Sequence, residues 1–133
     1  MRVPLPAVPT ALSFVDHINR SDPDGLGALM TVDHRLEVFD EQPLVGRAAN
    51  IVAWRGYFAA FPDYVVYPER ISCAGAVVAV QGRTTGSHLD LADADELALS
   101  LIWLATVVDG AVSCWKLIED DDANRRRFGL TDG

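Results

Sequence analysis

The segment Leu97–Val108 is the feature that most restricts how this chain can fold. Its apolar residues are interrupted only by Ser100 and Thr106, and it is too short and too polar to cross a bilayer. An antiparallel strand with one wet face alternates apolar and polar residues, and this segment does not. We therefore expect a long strand that is buried on both faces. Because no fourth long helix is predicted to cover the second face, the pattern predicts a homodimer packed sheet to sheet.

The spacing of apolar residues predicts three helices in the first half of the chain. Thr10 is the predicted cap of the first. A short second helix over residues 24–31 has Asp22 as its N-cap and Pro23 at its first position. The third predicted helix runs from about 47 to 61, and its apolar face carries Ile51, Trp54, Tyr57, Phe58 and Phe61.

The second half of the chain has the pattern of a sheet. A first strand at Leu36–Phe39 precedes a loop over residues 41–46, and residues 89–96 form a predicted acidic loop. Gly82 and Gly86 predict bends, and Asp109-Gly110 predicts a tight turn. Long strands are predicted at Tyr64–Ala74, Ala76–His88, Leu97–Val108 and Ala111–Ile118. Helices gathered first and strands last indicate one α+β domain over residues 1–133.

Composition excludes several classes of function. Half of the 133 residues are apolar, which is enough for a core, and the net charge of −8 disfavours binding to nucleic acid or to an anionic membrane. The start of the chain is broken by prolines and does not resemble a signal peptide, so the expected location is cytoplasmic.

The cysteines and histidines do not predict a disulfide or a metal site. Cys73 and Cys114 both lie in apolar runs and are expected to be buried thiols. The three histidines share no ligand spacing, so no metal is expected. His34 precedes the first predicted strand and is expected to be exposed.

Three stretches together resemble a known family. They follow one another in the order and spacing of the SnoaL-like branch of the nuclear transport factor 2-like (NTF2-like) superfamily, which is related in fold to ketosteroid isomerase. The resemblance implies a cone in which three N-terminal helices pack on a strongly curved mixed or antiparallel sheet and enclose a pocket. The first two stretches are Val38-Phe39-Asp40 followed by Gly46, and Thr84-Thr85-Gly86-Ser87-His88. The third is Trp103–Trp115, which resembles the family's last hairpin, followed by a terminal acidic segment with Phe128-Gly129-Leu130, which resembles its short closing helix.

Asp40 is the first catalytic candidate that the resemblance implies. Its position matches the carboxylate that acts as general base in ketosteroid isomerase. A carboxylate in an apolar cavity has a raised pKa and can move a proton. The alternative is that Asp40 opens the following loop and faces water.

The oxyanion donors of ketosteroid isomerase have no counterpart in this chain. The tyrosine position falls near Phe14, and the second aspartate position falls near Ile102 or Trp103. An enolate without donors loses several kcal/mol of stabilisation. Tyr57 and Tyr67 are the candidates to replace them.

His88 is the second catalytic candidate, because a histidine at the rim of the sheet can act as an acid or a base near neutral pH. The alternative is a histidine at the end of a hairpin with no chemical role. The aromatic residues are candidates for binding a substrate, and packing in the core is their alternative. The predicted substrate-binding residues are Phe14, Trp54, Tyr57, Phe58, Trp103 and Trp115.

Two functions follow from these residues. The first is a cofactor-independent enzyme that acts on a small hydrophobic molecule by acid–base chemistry, as an isomerase, cyclase, dehydratase or hydrolase. The second is a non-catalytic ligand-binding or dimerisation module on the same fold. The missing oxyanion donors favour the second function, and the position of Asp40 favours the first.

Overall fold

A computed structural model describes residues 7–131, so the proline-rich start that bears on a signal peptide lies mostly outside the described residues. Within that range the helices are α1 (Ala7–Asn19), α2 (Pro23–Ala28), α3 (Arg47–Ala60), α4 (Asp93–Leu97) and α5 (Asp122–Arg127). The strands are β1 (Met30–Val38), β2 (Leu44–Val45), β3 (Val65–Ala74), β4 (Val77–Thr85), β5 (Leu101–Val108) and β6 (Ala111–Glu119). None of these helices is long and apolar enough to span a membrane.

All six strands form one curved, open sheet in the order β2-β1-β6-β5-β4-β3. The pairs are antiparallel except for β1 with β6, which run parallel. The sheet is therefore mixed, and the α+β class predicted from the order of elements is confirmed. The four predicted long strands correspond to β3 through β6, which are consecutive neighbours in the sheet.

The three predicted helices follow their sequence signals, with two departures. The Asp22 side chain accepts a hydrogen bond from the Gly25 amide at 3.0 Å, which confirms it as the N-cap of α2. The prediction that Thr10 caps the first helix was wrong, because α1 already begins at Ala7. Helix α2 ends at Ala28, earlier than predicted, because Met30 begins β1.

Two predicted loops contain regular structure. Strand β2 lies in the first of them, where Leu44 and Val45 pair with β1. Helix α4 lies at the end of the acidic loop, so β5 begins at Leu101 and not at Leu97. Three acidic residues in the first turn of α4 suit the positive end of a helix dipole.

Gly86 ends β4 and turns the chain towards the sheet rim. Its φ of +71° is a left-handed conformation that favours glycine, and a Cβ there would lie 2.4 Å from the Asp63 carbonyl oxygen. Strand β4 therefore stops at Thr85, and the predicted extension to His88 was wrong. The bend predicted at Gly82 is confirmed by a register shift in β3 between Pro68 and Arg70.

The main core lies between the helices and the inner face of the sheet. Helix α1 buries one side, which consists of Ala11, Phe14, Val15 and Ile18. The inner face of the sheet meets it with Val78, Val80, Trp103, Ala105 and Trp115. Strand β5 is buried on both faces, as its sequence predicts.

The outer face of β5 is covered by the C-terminal segment of the same chain. Ile102 and Leu104 form a second cluster there with Leu130, and Phe128 of the same segment packs against it. No fourth long helix covers this face in the described residues; α5, a helix of six residues, and the segment after it cover Ile102 and Leu104 instead. The homodimer itself stays a prediction.

The cysteines differ from each other. Cys73 is exposed because β3 is the edge strand of the sheet, so its prediction as a buried thiol was wrong. Cys114 is partly buried and donates a hydrogen bond to Glu37 at 3.2 Å. Burial raises the pKa of the Cys114 thiol to about 11, so the thiolate is scarce at neutral pH.

An ion pair attaches α5 to the sheet. Arg125 donates to both carboxylate oxygens of Asp120 at 2.5 and 2.7 Å, and the Asp120 side chain is only 2% exposed. The Ser100 hydroxyl also donates to this carboxylate. These hydrogen bonds, first those from Arg125, lower the pKa of Asp120 below its usual value. The charged carboxylate therefore stabilises the folded state.

We predict that Asp120→Asn lowers the free energy of unfolding at pH 7 by about 1.5–3 kcal/mol, because it replaces charge-assisted hydrogen bonds. Since the folded-state pKa is depressed, this contribution is present above the usual aspartate pKa of 3.8 and is lost as the pH falls below it. Urea unfolding from pH 7 to pH 3 measures both effects, with Glu41→Gln as an exposed control. A constant difference between Asp120→Asn and the wild type across this range would contradict the prediction.

Candidate functional site

A cavity of about 220 Å³ lies between α3 and the inner face of the sheet. Helix α3 forms its roof, and strands β1, β5 and β6 form its floor. The segments that follow α3 and β4 form one side. The lining residues are Leu36, Val38, Ala53, Trp54, Tyr57, Tyr64, His88, Trp103, Trp115 and Leu117.

All three tryptophans of the chain line this cavity. Trp103 and Trp115 are neighbours on the floor, with nearly parallel rings whose centroids lie 6.4 Å apart. Trp54 faces them from the roof and is 8% exposed. Aromatic faces on both sides suit a flat apolar ligand.

Four of the six predicted substrate-binding residues line the cavity: Trp54, Tyr57, Trp103 and Trp115. The other two are buried behind its wall. Phe14 packs against Trp115 at a centroid distance of 4.9 Å, and Phe58 packs against Trp54 at 5.4 Å. Core packing, the alternative to substrate binding, therefore fits Phe14 and Phe58. A substrate-binding role stays a prediction for each of the six residues.

Tyr57 and His88 form a hydrogen-bonded pair at the cavity rim. The Tyr57 oxygen lies 2.8 Å from Nδ1 of His88 and accepts the backbone N–H of His88 at 3.2 Å. When the tyrosine hydroxyl donates to Nδ1, the proton of the neutral imidazole lies on Nε2. Burial raises the pKa of Tyr57, which keeps it a protonated donor at neutral pH.

Tyr64 brings a second phenol to the cavity, although it was not among the site residues predicted from the sequence. Its hydroxyl forms no hydrogen bond with any described residue, and burial raises its pKa well above the usual range. It is therefore a neutral donor that remains available to a ligand. Its ring packs edge-on against Tyr57 at 5.1 Å.

Tyr67, one of the two candidates for a missing donor, lies elsewhere. Its hydroxyl is 3.0 Å from the Thr85 hydroxyl, the residue is 43% exposed, and it is not among the lining residues. Tyr64 stands just before β3, whereas Tyr67 lies within the strand. The two tyrosines are three residues apart, so alternation places them on opposite faces of the sheet, and Tyr64 shares its side with the buried Val66.

Asp40 is exposed in the turn after β1 and is not among the residues that line the cavity. Leu36 and Val38 line the cavity from the inner face of β1, and simple alternation would place residue 40 beside them. The alternation ends at Phe39, whose φ of +49° turns the chain. The catalytic role predicted for Asp40 stays a prediction, and its geometric basis is weaker than that of His88.

His34 is fully buried, so its predicted exposure was wrong. It shares the inner face of β1 with Leu36 and Val38 and packs against Phe14, with a ring distance of 5.8 Å. Burial lowers the pKa of His34, and the neutral ring donates from Nδ1 to the Val112 carbonyl at 2.7 Å. Among residues 7–131, no three histidine, cysteine or acidic side chains are grouped as metal ligands would be.

Solved structures with a similar architecture identify the fold. An uncharacterised cystatin-fold protein from Novosphingobium aromaticivorans is 15% identical, with a TM-score of 0.73, covering 86% of this chain and 99% of its own. A protein provisionally described as a SnoaL-like polyketide cyclase, from Jannaschia sp. CCS1, is 23% identical, with a TM-score of 0.69 and 99% of both chains covered. An LEH-like epoxide hydrolase from M. tuberculosis is 16% identical, with a TM-score of 0.65, covering 86% of this chain and 82% of its own.

These similarities establish an NTF2-like fold. Because the sequence identities are low, no activity can be inferred from these structures. A sequence model of the SnoaL-like domain matches residues 11–115. The chain therefore belongs to the SnoaL-like family, as its three motifs indicated. No curated protein sequence matches it.

Proposed function

We propose that this protein is a small-molecule enzyme that moves a proton on a flat, hydrophobic carbonyl compound held in the tryptophan-lined cavity. The observation that carries the proposal is the hydrogen-bonded pair of Tyr57 and His88 on the wall of an otherwise aromatic and aliphatic space. A histidine paired with a phenol provides both a proton acceptor and a proton donor near neutral pH.

The size of the cavity supports a small ligand. Drug-sized molecules occupy pockets of about 300–1,000 Å³, and this cavity holds about 220 Å³. A molecule with one or two rings suits that volume better than a larger polycyclic one. Apart from the Tyr57–His88 pair and Tyr64, the lining is apolar, which suits an uncharged compound.

The geometry supports a proton relay. In this scheme the Tyr57 oxygen takes a proton from the carbon next to the ligand carbonyl while its own proton passes to Nδ1 of His88. The products are an enolate and an imidazolium, and His88 is exposed, so water can solvate its charge. The free hydroxyl of Tyr64 donates to the enolate oxygen, the role for which ketosteroid isomerase uses its oxyanion donors. Return of the proton to another carbon completes an isomerisation.

The second candidate is a binding module without catalysis. It is favoured by the exposed position of Asp40 outside the cavity. Among the described residues, those that line the cavity include no carboxylate that could act as a base. Both candidates require the same ligand class, and they differ in whether the pair transfers a proton.

We predict that 2-acetylnaphthalene, a two-ring ketone, quenches the intrinsic fluorescence, because all three tryptophans line the cavity. Tyr64→Phe should weaken its binding by about 1 kcal/mol, roughly fivefold, through loss of one hydrogen bond. It should not weaken binding of 2-ethylnaphthalene, which lacks the carbonyl. Tyr67→Phe is the matched control, since it removes a phenol outside the cavity. Equal effects of Tyr64→Phe on both ligands would contradict a donor role for Tyr64.

We predict that the protein accelerates exchange of the methyl protons of 2-acetylnaphthalene with D₂O, measured by NMR under saturating protein. His88→Gln and Tyr57→Phe should each lower this rate at least about 100-fold, the lower end of the range for general acid–base catalysis. Asp40→Asn decides between the two candidate bases. Loss of exchange in Asp40→Asn but not in His88→Gln would overturn the proposed relay. Binding without any exchange would favour the second candidate.

A further inference from the structure

Glu96 is a buried carboxylate within an acidic segment that otherwise faces water. It lies on α4, where its neighbours Asp93 and Asp95 are exposed, yet Glu96 itself is only 1% exposed. No lysine, arginine or histidine among residues 7–131 forms an ion pair with it. Burying a carboxylate without a counter-charge is unfavourable, so the hydrogen bonds that it accepts must offset this cost.

Both oxygens of Glu96 are bound to the segment that carries His88. The Thr84 hydroxyl donates to Oε2 at 2.5 Å, and the Ser87 backbone N–H donates to Oε1 at 3.3 Å. Between these two residues lies Gly86, which packs closely against the carbonyl of Asp63. The rim segment is therefore held by Glu96 at Thr84 and Ser87, and by close packing at Gly86.

His88 directly follows Ser87, whose backbone N–H donates a hydrogen bond to Glu96. The N–H of His88 then binds the Tyr57 oxygen, and that oxygen bonds to the ring of the same histidine. Glu96 is therefore connected to Tyr57 by its hydrogen bond with Ser87, by the peptide bond between Ser87 and His88, and by the hydrogen bonds of His88 to Tyr57. If Ser87 were released, the backbone of His88 would be held only by Tyr57 and by the local turn.

We propose that Glu96 is a positioning residue, which fixes the Ser87–His88 turn so that the His88 ring keeps its hydrogen bond to Tyr57. Its effect on catalysis rests on the proposed function, whereas its effect on the pair can be measured without any ligand. A carboxylate suits this position because it only accepts hydrogen bonds and here meets two donors.

The test compares three variants by NMR in the ligand-free protein. The readout is the nuclear Overhauser effect between the rings of Tyr57 and His88, whose centroids lie 5.8 Å apart. Glu96→Ala should reduce this signal at least twofold. Glu96→Gln should keep it, because the amide oxygen can accept from Ser87 while its NH₂ donates to the Thr84 hydroxyl. Asp95→Asn removes the adjacent, exposed charge and should leave the signal unchanged.

An unchanged signal in Glu96→Ala would overturn the proposal, and so would an equal loss in Asp95→Asn. If Glu96→Ala does not fold, Thr84→Val removes one of the two hydrogen bonds with little change in shape, and an unchanged signal there would also overturn it. In the exchange assay, Glu96→Ala should lower the rate at least tenfold without weakening binding of 2-acetylnaphthalene. If the wild type shows no exchange, the proposed function fails while the ring signal still tests Glu96.

Discussion

The hydroxyl group of Tyr57 connects the roof of the cavity to the rim of the sheet, and the rest of the site depends on it. Helix α3 is fixed near its start by Asn50, whose side chain donates to the carbonyls of His34, Leu44 and Gly46. Near its end it is fixed by Tyr57, through both hydrogen bonds to His88. Trp54 lies between these two attachments, over the cavity. The helix is thereby held above the sheet at both ends, with the cavity beneath it.

Some aromatic side chains fill the core, and others line the cavity. Phe14 and Phe58 are buried behind the wall and support Trp115 and Trp54. With this support the indole rings line a space and do not collapse into it. The buried carboxylates Glu96 and Asp120 accept hydrogen bonds from other groups and are not among the residues that line the cavity. The cavity therefore stays apolar except for the two tyrosines and His88, an environment that favours neutral phenols and an uncharged ligand.

Much of the fold could be predicted because its signals are local or strongly periodic. The apolar face of α3, the N-cap at Asp22 and the two-faced burial of β5 each follow from a few neighbouring residues. The family resemblance could be recognised because three weak motifs occur in the right order. What covers β5 could not be predicted, since six residues of helix with Phe128 and Leu130 give no strong periodic signal.

The chemistry of the site was harder to predict, because it depends on where strands end. One left-handed residue, Phe39, removes Asp40 from the face that alternation would give it. Tyr64 and Tyr67 are three residues apart and therefore lie on opposite faces of the sheet, and the sequence did not show which face lines the cavity. Glu96 and His34 each look like surface residues in sequence, and only partners distant in the chain make their burial favourable. His88 could be identified, but its bond to Tyr57 joins residues 31 positions apart.

A crystal structure of the protein with 2-acetylnaphthalene tests the central claim most directly. The account predicts a naphthalene ring between Trp54 and the floor tryptophans, with the carbonyl oxygen about 3 Å from the Tyr64 hydroxyl, a hydrogen-bonding distance. The methyl carbon should face the Tyr57 oxygen, and the Tyr57–His88 bond should remain. A ligand bound outside this cavity, or a carbonyl that points away from both tyrosines, would contradict it.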